Sequence, residues 1–406
     1  MVGGVATCIA VYCLGVIVSH PPSKRFTNAK IEIKWDIFIE EDNSPYRLSS
    51  IPRMDRPLPQ LDPPTAPPPA PSSEHTHGAL HDAHGRTIHD LRMSITDRCN
   101  FRCIYCMEPT DRFLPKQALL SSSEYIMIVD AAISLGVRKV RLTGGEPTLY
   151  PELDTIISEL GRRDLDDIAM TTNGSLIDAA RTARWKSAGL NRLTFSLDTL
   201  REDRMTAITR SKTRVEDVLQ SIDIAAAAGF PQSKINVVAM RGVNEDEFAD
   251  FADLARERDL DIRFIEFMPL DSGRLWKPES VVSETEIIAS IEKRHRLEQR
   301  DSQNPHSTSR HYQFADGSLG RIGVIASVTR PFCGACNRLR VTAEGAVRPC
   351  LFSNTEWDIR PLLRRGGGHD DIVRFLVDSV WTKQAGHGIG LDDFEQPDRG
   401  MSAIGG

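Results

Sequence analysis

Cys99, Cys103 and Cys106 stand in the run TDRCNFRCIYCMEP, a Cys-x3-Cys-x2-Cys spacing. Three thiolates this close suit a four-iron, four-sulfur cluster, and three ligands for four irons leave one iron open. An open iron can bind and reduce a small molecule, whereas a fully ligated cluster mostly carries electrons or holds structure. A second set, Cys333, Cys336 and Cys350 in FCGACNRLRVTAEGAVRPC, again offers three ligands. A structural zinc site normally takes a fourth Cys or His close by. The nearest histidine in sequence is His369, with nothing around it that looks like a zinc knuckle. Two readings stay open for this second set: zinc with a distant fourth ligand, or a second iron–sulfur cluster with its own open iron. The first triad tilts the choice to the cluster.

The chain has 406 residues and a formal net charge of −6, enough for two or three domains and no reason to expect nucleic-acid binding. Six of its eight cysteines fall into the two triads, which points to metal binding in a reducing compartment, not to a disulfide framework. The other two, Cys8 and Cys13, lie in an apolar run from Val5 to Val18. That run lacks a preceding Lys or Arg and a clear cleavage site, and it is short of the ~20 residues of a membrane span. Its readings are a start codon placed too far upstream, which is preferred, a weak anchor, or a targeting segment. The expected location is cytoplasmic, without stable membrane association.

Residues 1–85 read as a disordered Pro/His-rich leader, with nine prolines between Pro52 and Pro71. His75, His77, His81, His84 and His89 follow without regular ligand spacing, which favours a polar linker over a metal site. From Leu91 the pattern changes. Strand-like LRMSIT, KVRLTG, DIAMTTNG, RLTFSLD, KINVVAM and DIRFIEF alternate with helical stretches near Ser121–Leu135, from Pro151, to Ala188, Val215–Ala228 and Glu245–Arg258. Alternation of this kind predicts a parallel sheet with helices outside it. Six units are too few for a closed eight-fold barrel, so residues 86–275 read as an open, partial (βα)6 TIM-like barrel. In such folds chemistry gathers at the C-terminal ends of the strands. Residues 276–406 read as a C-terminal extension carrying the second triad, with a helix near Glu284–Arg294 and short strands around His311–Phe314 and Arg321–Val324. The terminal MSAIGG reads by itself as a flexible, frayed tail.

The first triad's spacing resembles that of the radical S-adenosylmethionine (SAM) enzymes, in which SAM chelates the open iron and one electron breaks its S–C5′ bond. Gly144, Gly145, Glu146 and Pro147 end the second strand, and glycines there let the backbone approach a ligand. They resemble the segment that receives the SAM amino group; Tyr105, Ser196 and Met268 match further SAM-contacting positions. Taken together, ITDRCNFRCIYCM, RLTGGEPTL, TTNG, KINVV, RFIEFMPLDSG, CNRLRVTAEG and the Gly-Gly end resemble one family, the GTP 3′,8-cyclases of molybdenum-cofactor biosynthesis. The likeness runs from about Gly85 to Gly406 and leaves the leader uncovered.

The resemblance implies a reaction in which a deoxyadenosyl radical removes hydrogen from C3′ of GTP. The carbon radical closes onto C8, and reduction and protonation give 3′,8-cyclo-7,8-dihydro-GTP. It implies two [4Fe–4S] clusters with SAM as cosubstrate, Cys333, Cys336 and Cys350 holding the cluster that takes the guanine. Arg92, Arg141, Lys234, Arg338 and Arg340 match GTP-binding positions, with Thr171 as a hydroxyl donor and Lys139 a further candidate; arginine forks suit phosphate oxygens. Arg338 and Arg340 alternate along one segment, so both can face one side. Gly405 and Gly406 are implied to reach into the barrel and assist catalysis. A homodimer, a flavodoxin- or ferredoxin-like electron donor and a downstream cyclic pyranopterin monophosphate synthase are implied as well. Two other classes stand against this: a peptide-modifying radical SAM enzyme, which would tend to carry more auxiliary cysteines, and a non-enzymatic metal-binding sensor, against which the GGEP segment counts.

Overall fold

In the computed structural model, residues 78–230, 232–302 and 304–405 are described. The core alternates β1 (Asp90–Ser94), α1 (Ser122–Ser134), β2 (Lys139–Thr143), α2 (Leu153–Gly161), β3 (Asp167–Thr172), α3 (Ala179–Ser187) and β4 (Arg192–Ser196). It continues with α4 (Glu202–Thr209), α5 (Val215–Ala227), β5 (Lys234–Ala239), α6 (Phe248–Arg258) and β6 (Asp261–Glu266). Strands β1 to β6 lie side by side in sequence order and all pair in parallel. The expected partial barrel is therefore present, with element ends within a few residues of those read from the pattern. Helix α4 was not foreseen.

The remaining chain supplies α7 (Glu284–Glu292), β7 (Leu297–Arg300), β8 (Arg310–Phe314), β9 (Arg321–Ile325), β10 (Arg338–Val341), β11 (Ala346–Arg348) and β12 (Trp357–Asp358). It closes with α8 (Arg360–Arg364), α9 (His369–Trp381) and α10 (Met401–Ile404). These strands extend the same sheet, in the linear order β12-β11-β10-β1-β2-β3-β4-β5-β6-β9-β8-β7. β10 pairs in parallel with β1, and β9 in parallel with β6. Eight consecutive strands are thus parallel, six from the core and one on each flank from the C-terminal region.

Strand alternation sets the architecture. Leu91 and Met93 of β1, Val140 and Leu142 of β2, and Ile262 and Phe264 of β6 are buried under the helices. Their alternate neighbours face the other way, into the barrel. Helix α1 opens with a capping box: Ser121 accepts from the Glu124 N–H while Glu124 accepts from the Ser121 N–H at 2.7 Å. Its buried face includes Tyr125, Ile128, Val129 and Ala132. The Tyr125 hydroxyl bonds the Ser94 carbonyl (2.8 Å) and the Ala343 carbonyl (3.2 Å), tying α1 to the ends of both β1 and β10.

Packing begins ahead of Arg86: Leu80 is fully buried, and its N–H bonds the Leu135 carbonyl at 2.9 Å. Residues 1–77, with the apolar run and most of the expected leader, lie outside the described residues. The frayed tail read from MSAIGG is corrected. Met401–Ile404 form a short helix, Ile404 is fully buried, and Gly405 is buried too. The reason is apolar packing, since Ile404 and Met401 join Leu270, Val281, Val328, Phe352 and Ile389 in one cluster.

Candidate functional site

The first triad occupies the loop that leaves β1. Its mouth is shaped by the segment after β2: the Gly145 N–H bonds the Thr96 carbonyl and the Glu146 N–H the Arg98 carbonyl, both at 2.7 Å. A Cβ on Gly145 would lie 2.3 Å from the Arg98 carbonyl oxygen, so only glycine allows this approach. Glu146 is buried and accepts from Thr148 Oγ1 (2.6 Å), Thr172 Oγ1 (2.7 Å) and the Asn173 N–H (2.7 Å). Burial pushes its carboxyl up against these bonds. Its oxygens are spent on fastening the loop to the end of β3.

Cys99, Cys103, Cys106, Tyr105, Gly145, Ser196 and Met268 line one cavity. The structure therefore brings together every residue matched to the first cluster and to SAM. The Tyr105 hydroxyl donates to Asp198 Oδ2 at 2.7 Å, and the Val238 N–H to Oδ1 at 2.8 Å. Burial raises the Asp198 carboxyl to about 6 despite these donors. All three cysteines are free thiols. Burial pushes Cys99 up to about 11 and, with help from Cys99, Cys106 up to about 12; burial and then Cys106 raise Cys103. Burial dominates at all three, neighbouring thiols add to it at Cys103 and Cys106, and Arg102 offsets it only in part at Cys99. Metal binding relieves such a donor set, because a metal takes the groups as thiolates. They fit an iron–sulfur cluster.

A second cavity of about 610 Å³ lies within the range of small-molecule sites. Arg92, Arg141, Thr171, Lys234, Arg338 and Arg340 all line it, with Lys139. Their placement follows from register: Arg92 on β1 is level with Arg340 on β10 and with Arg141 on β2. Three guanidinium groups thus stand in a row across three adjacent strands, where like charges repel. Burial and then Arg340 and Arg338 hold Arg92 well below the usual arginine range. Burial and then Arg92 bring Arg141 to about 9; burial and then Arg338 bring Arg340 to about 9. Lys234 falls to about 8 through burial and Arg263. Arg141 donates to Thr171 Oγ1 at 3.1 Å. Among the described residues no carboxylate pairs with Arg92, Arg141, Arg338 or Arg340.

Sequence reasoning passed over Arg192 and Arg263, which line the same cavity. The signal was present: Arg192 shares the inward parity of Ser196, and Arg263 that of Ile265. Each has an acid, Arg192 pairing with Asp167 and Arg263 with Asp261 at 2.9 Å. Thr171, Asn236, Ile265, Met268 and Met401 line both cavities, so the two share a wall. The C-terminal helix contributes to that wall, and Arg340 donates to the Gly405 carbonyl. Gly406 lies outside the described residues.

Cys333 and Cys336 bracket a single turn before β10, and Cys350 follows β11. Phe332 and Leu351, beside them in sequence, line the cationic cavity. All three are free thiols. Burial pushes Cys333 up to about 11. Burial also opposes ionisation of Cys336, but Lys383 and Arg338 outweigh it and bring that thiol down to about 7. Among the described residues, no three Cys, His, Asp or Glu groups converge on the position of a single ion. A zinc site would need that convergence, whereas a cluster takes each thiolate on a separate iron. His387 sits beside Cys333, but its Nδ1 accepts from the Ile389 N–H at 2.9 Å and its Nε2 is 2.8 Å from the Ser327 carbonyl. Its ring is committed elsewhere, so it makes no fourth ligand, and the set fits a cluster better than zinc.

Residues 93–255 match the radical SAM superfamily, and residues 260–389 the family described as Molybdenum Cofactor Synthesis C. The barrel and site are therefore those of a radical SAM protein. Among curated proteins, a GTP 3′,8-cyclase of Streptomyces coelicolor is 44% identical over 82% of this chain and 98% of its own length. Another from Rhodopirellula baltica is 43% identical over 81% of this chain and 92% of its own. The chain belongs to the GTP 3′,8-cyclase family. The Streptococcus suis protein SuiB shares the fold: TM-score 0.50 at 16% identity, over 68% of this chain and less than two thirds of that one (64%).

Proposed function

We infer that this chain is an enzyme that converts GTP to (8S)-3′,8-cyclo-7,8-dihydroguanosine 5′-triphosphate, the first step of molybdenum-cofactor biosynthesis. The observation that carries the reading is the shared wall: a thiol-lined cavity abuts a cationic one in which, among the described residues, Arg92, Arg141, Arg338 and Arg340 have no carboxylate partner, while Arg192, Arg263 and Lys234 do. Buried like charges at one level call for a polyanion, and a triphosphate supplies it. Membership of the family names that triphosphate as GTP.

When bound, two [4Fe–4S] clusters and SAM supply one-electron cleavage and a carbon radical able to abstract hydrogen. Cys99, Cys103 and Cys106 would hold the first cluster, and Cys333, Cys336 and Cys350 the second. Tyr105, Gly145, Ser196 and Met268 border the space for SAM. Arg92, Arg340 and Arg141 grip phosphate oxygens from the strand row, with Lys234, Thr171 and Arg338 around them. Their grip presents the ribose to the shared wall and excludes water from it. Gly405 and Gly406 belong to the same machinery: the Arg340 guanidinium that bonds the Gly405 carbonyl is also one of the phosphate-facing groups. Substrate and tail therefore meet at one side chain.

The domain division at about residues 85 and 275, a homodimer, a flavodoxin- or ferredoxin-like electron donor and hand-over to cyclic pyranopterin monophosphate synthase belong to this proposal. So does a cytoplasmic location, supported by clusters that need a reducing compartment. Among the described residues no helix is long and apolar enough to cross a membrane. The test is anaerobic reconstitution, then incubation with GTP, SAM and dithionite. Both 5′-deoxyadenosine and cyclised GTP are expected. SAM cleavage with GTP left untouched would point to another substrate and sink the reading.

A further inference from the structure

Lys383 follows α9 and is only 3% exposed. Its ammonium donates to the Arg338 carbonyl at 2.9 Å and to the Pro349 carbonyl. Arg338 lies two residues past Cys336, and Pro349 immediately precedes Cys350. One side chain therefore ties the two peptide stretches that carry two of the three thiols. A second cation braces the third: Arg86 donates to the Cys333 carbonyl at 2.8 Å and to the Ala385 and Gln384 carbonyls at 2.9 and 2.7 Å.

The two cations differ in one respect. Arg86 has an acid of its own, Asp82 at 2.6 Å. Lys383 has no carboxylate partner among the described residues. A buried ammonium without an anion costs several kcal/mol, and two neutral carbonyls do not replace one. The Cys336 thiol lies within the electrostatic reach of Lys383, and the second thiol set carries negative charge once it binds metal.

We propose that Lys383 is a positioning residue of the second centre: it clamps the approaches to Cys336 and Cys350 together and supplies the fixed positive charge against which the metal-bound thiolates are held. The inference rests on the reading of that triad as a cluster site. Charge and hydrogen bonds near the sulfurs set the reduction potential of a cluster, and residues just outside the ligand shell typically change metal affinity by roughly 10–100-fold. Lys383 acts by both routes.

The test uses the full chain with Cys99, Cys103 and Cys106 replaced by alanine, so that iron and its spectrum report the second centre alone. This parent and its K383R, K383Q and K383M forms are reconstituted anaerobically. Iron and sulfide per chain, loss of iron to a chelator, and an EPR-monitored redox titration are measured. K383R should stay near the parent. K383Q, which keeps a donor but no charge, should shift the midpoint potential to more negative values. K383M should lose iron roughly tenfold faster or more. A parent potential in K383Q together with parent retention in K383M would overturn the proposal. If K383M does not fold, the K383Q potential decides alone. A parent that takes up no iron would instead refute the cluster reading of the triad, and the lysine's role with it.

Discussion

Around Cys99, Cys103 and Cys106 nothing outweighs burial, and all three thiols are pushed up. Around Cys336, Lys383 and Arg338 do outweigh it, and the thiol falls to about 7. The contrast lies at Cys336, since Cys333 of the same set is pushed up to about 11 by burial, as the first set is. The first set borders a cavity with Phe101, Met107, Leu197 and Phe267 in its walls. The second adjoins a row of arginines. Ligand count alone suggests two equivalent centres. The surroundings differ: one set borders a sheltered pocket beside the glycine loop, and the other adjoins a cationic cavity.

The contrast can be broken most sharply at the ligands. Cys103→Ala should abolish both 5′-deoxyadenosine and cyclised GTP. Cys336→Ala should abolish the cyclised product while SAM cleavage persists, with product chromatography separating the two. If both variants lose SAM cleavage alike, the division of labour is wrong.

Next in size is the arginine row. Arg92→Ala removes a charge-assisted hydrogen bond of about 1.5–3 kcal/mol, so GTP affinity measured by calorimetry should fall roughly 10–100-fold. SAM binding should be unchanged, which confines the effect to one cavity.

A smaller effect is pH-dependent. Lys234 is depressed to about 8 and binds an anion only when protonated. GTP affinity should therefore be full below about 8 and decline as pH rises through it. In Lys234→Met the affinity should be lower throughout and this decline should vanish; an unchanged profile would remove Lys234 from the site.

The smallest is Tyr105→Phe, which takes one donor from Asp198. The carboxyl, already raised to about 6, should rise further. SAM affinity should weaken a few-fold, in line with about 0.5–1.5 kcal/mol for one hydrogen bond, and GTP affinity should not move.

Much of this was legible in the chain because strand parity and motif spacing are local. Arg338 and Arg340 could be placed on one side from i, i+2 alternation, whereas Arg92, Arg141 and Lys234 were legible through the motifs that carry the family likeness. What alternation cannot give is which strands become neighbours. That β10 pairs with β1, putting Arg340 level with Arg92, depends on a long-range contact. Arg192 went unread because a charged residue opening a strand looks like a solvated end, and Arg263 because an arginine beside Asp261 near a strand's start looks the same. Lys383 was illegible for a related reason: a lone lysine after a helix is ordinarily a C-terminal charge in water, and only the fold buries it. Helix α9 was a plainer oversight, since Ile372, Val373, Leu376, Val377 and Val380 trace one helical face. The tail was misjudged by itself because glycine pairs usually fray, and nothing local announces that Ile404 finds a pocket.

The sheet's strand order also bears on how the polypeptide is made. Arg86 grips a carbonyl 247 residues further along, and β1 and β6 each find one neighbour only in the last third of the chain. A ribosome that has released β6 but not β9 and β10 has produced a six-stranded sheet with two bare edges. Such edges invite pairing with other chains, and closing contacts this distant is slow. Synthesis thus leaves a vulnerable interval that ends only when both flanking strands arrive, and a truncated product stays in it permanently. Expression yield should accordingly depend on chaperone supply during translation and on an intact C-terminal third.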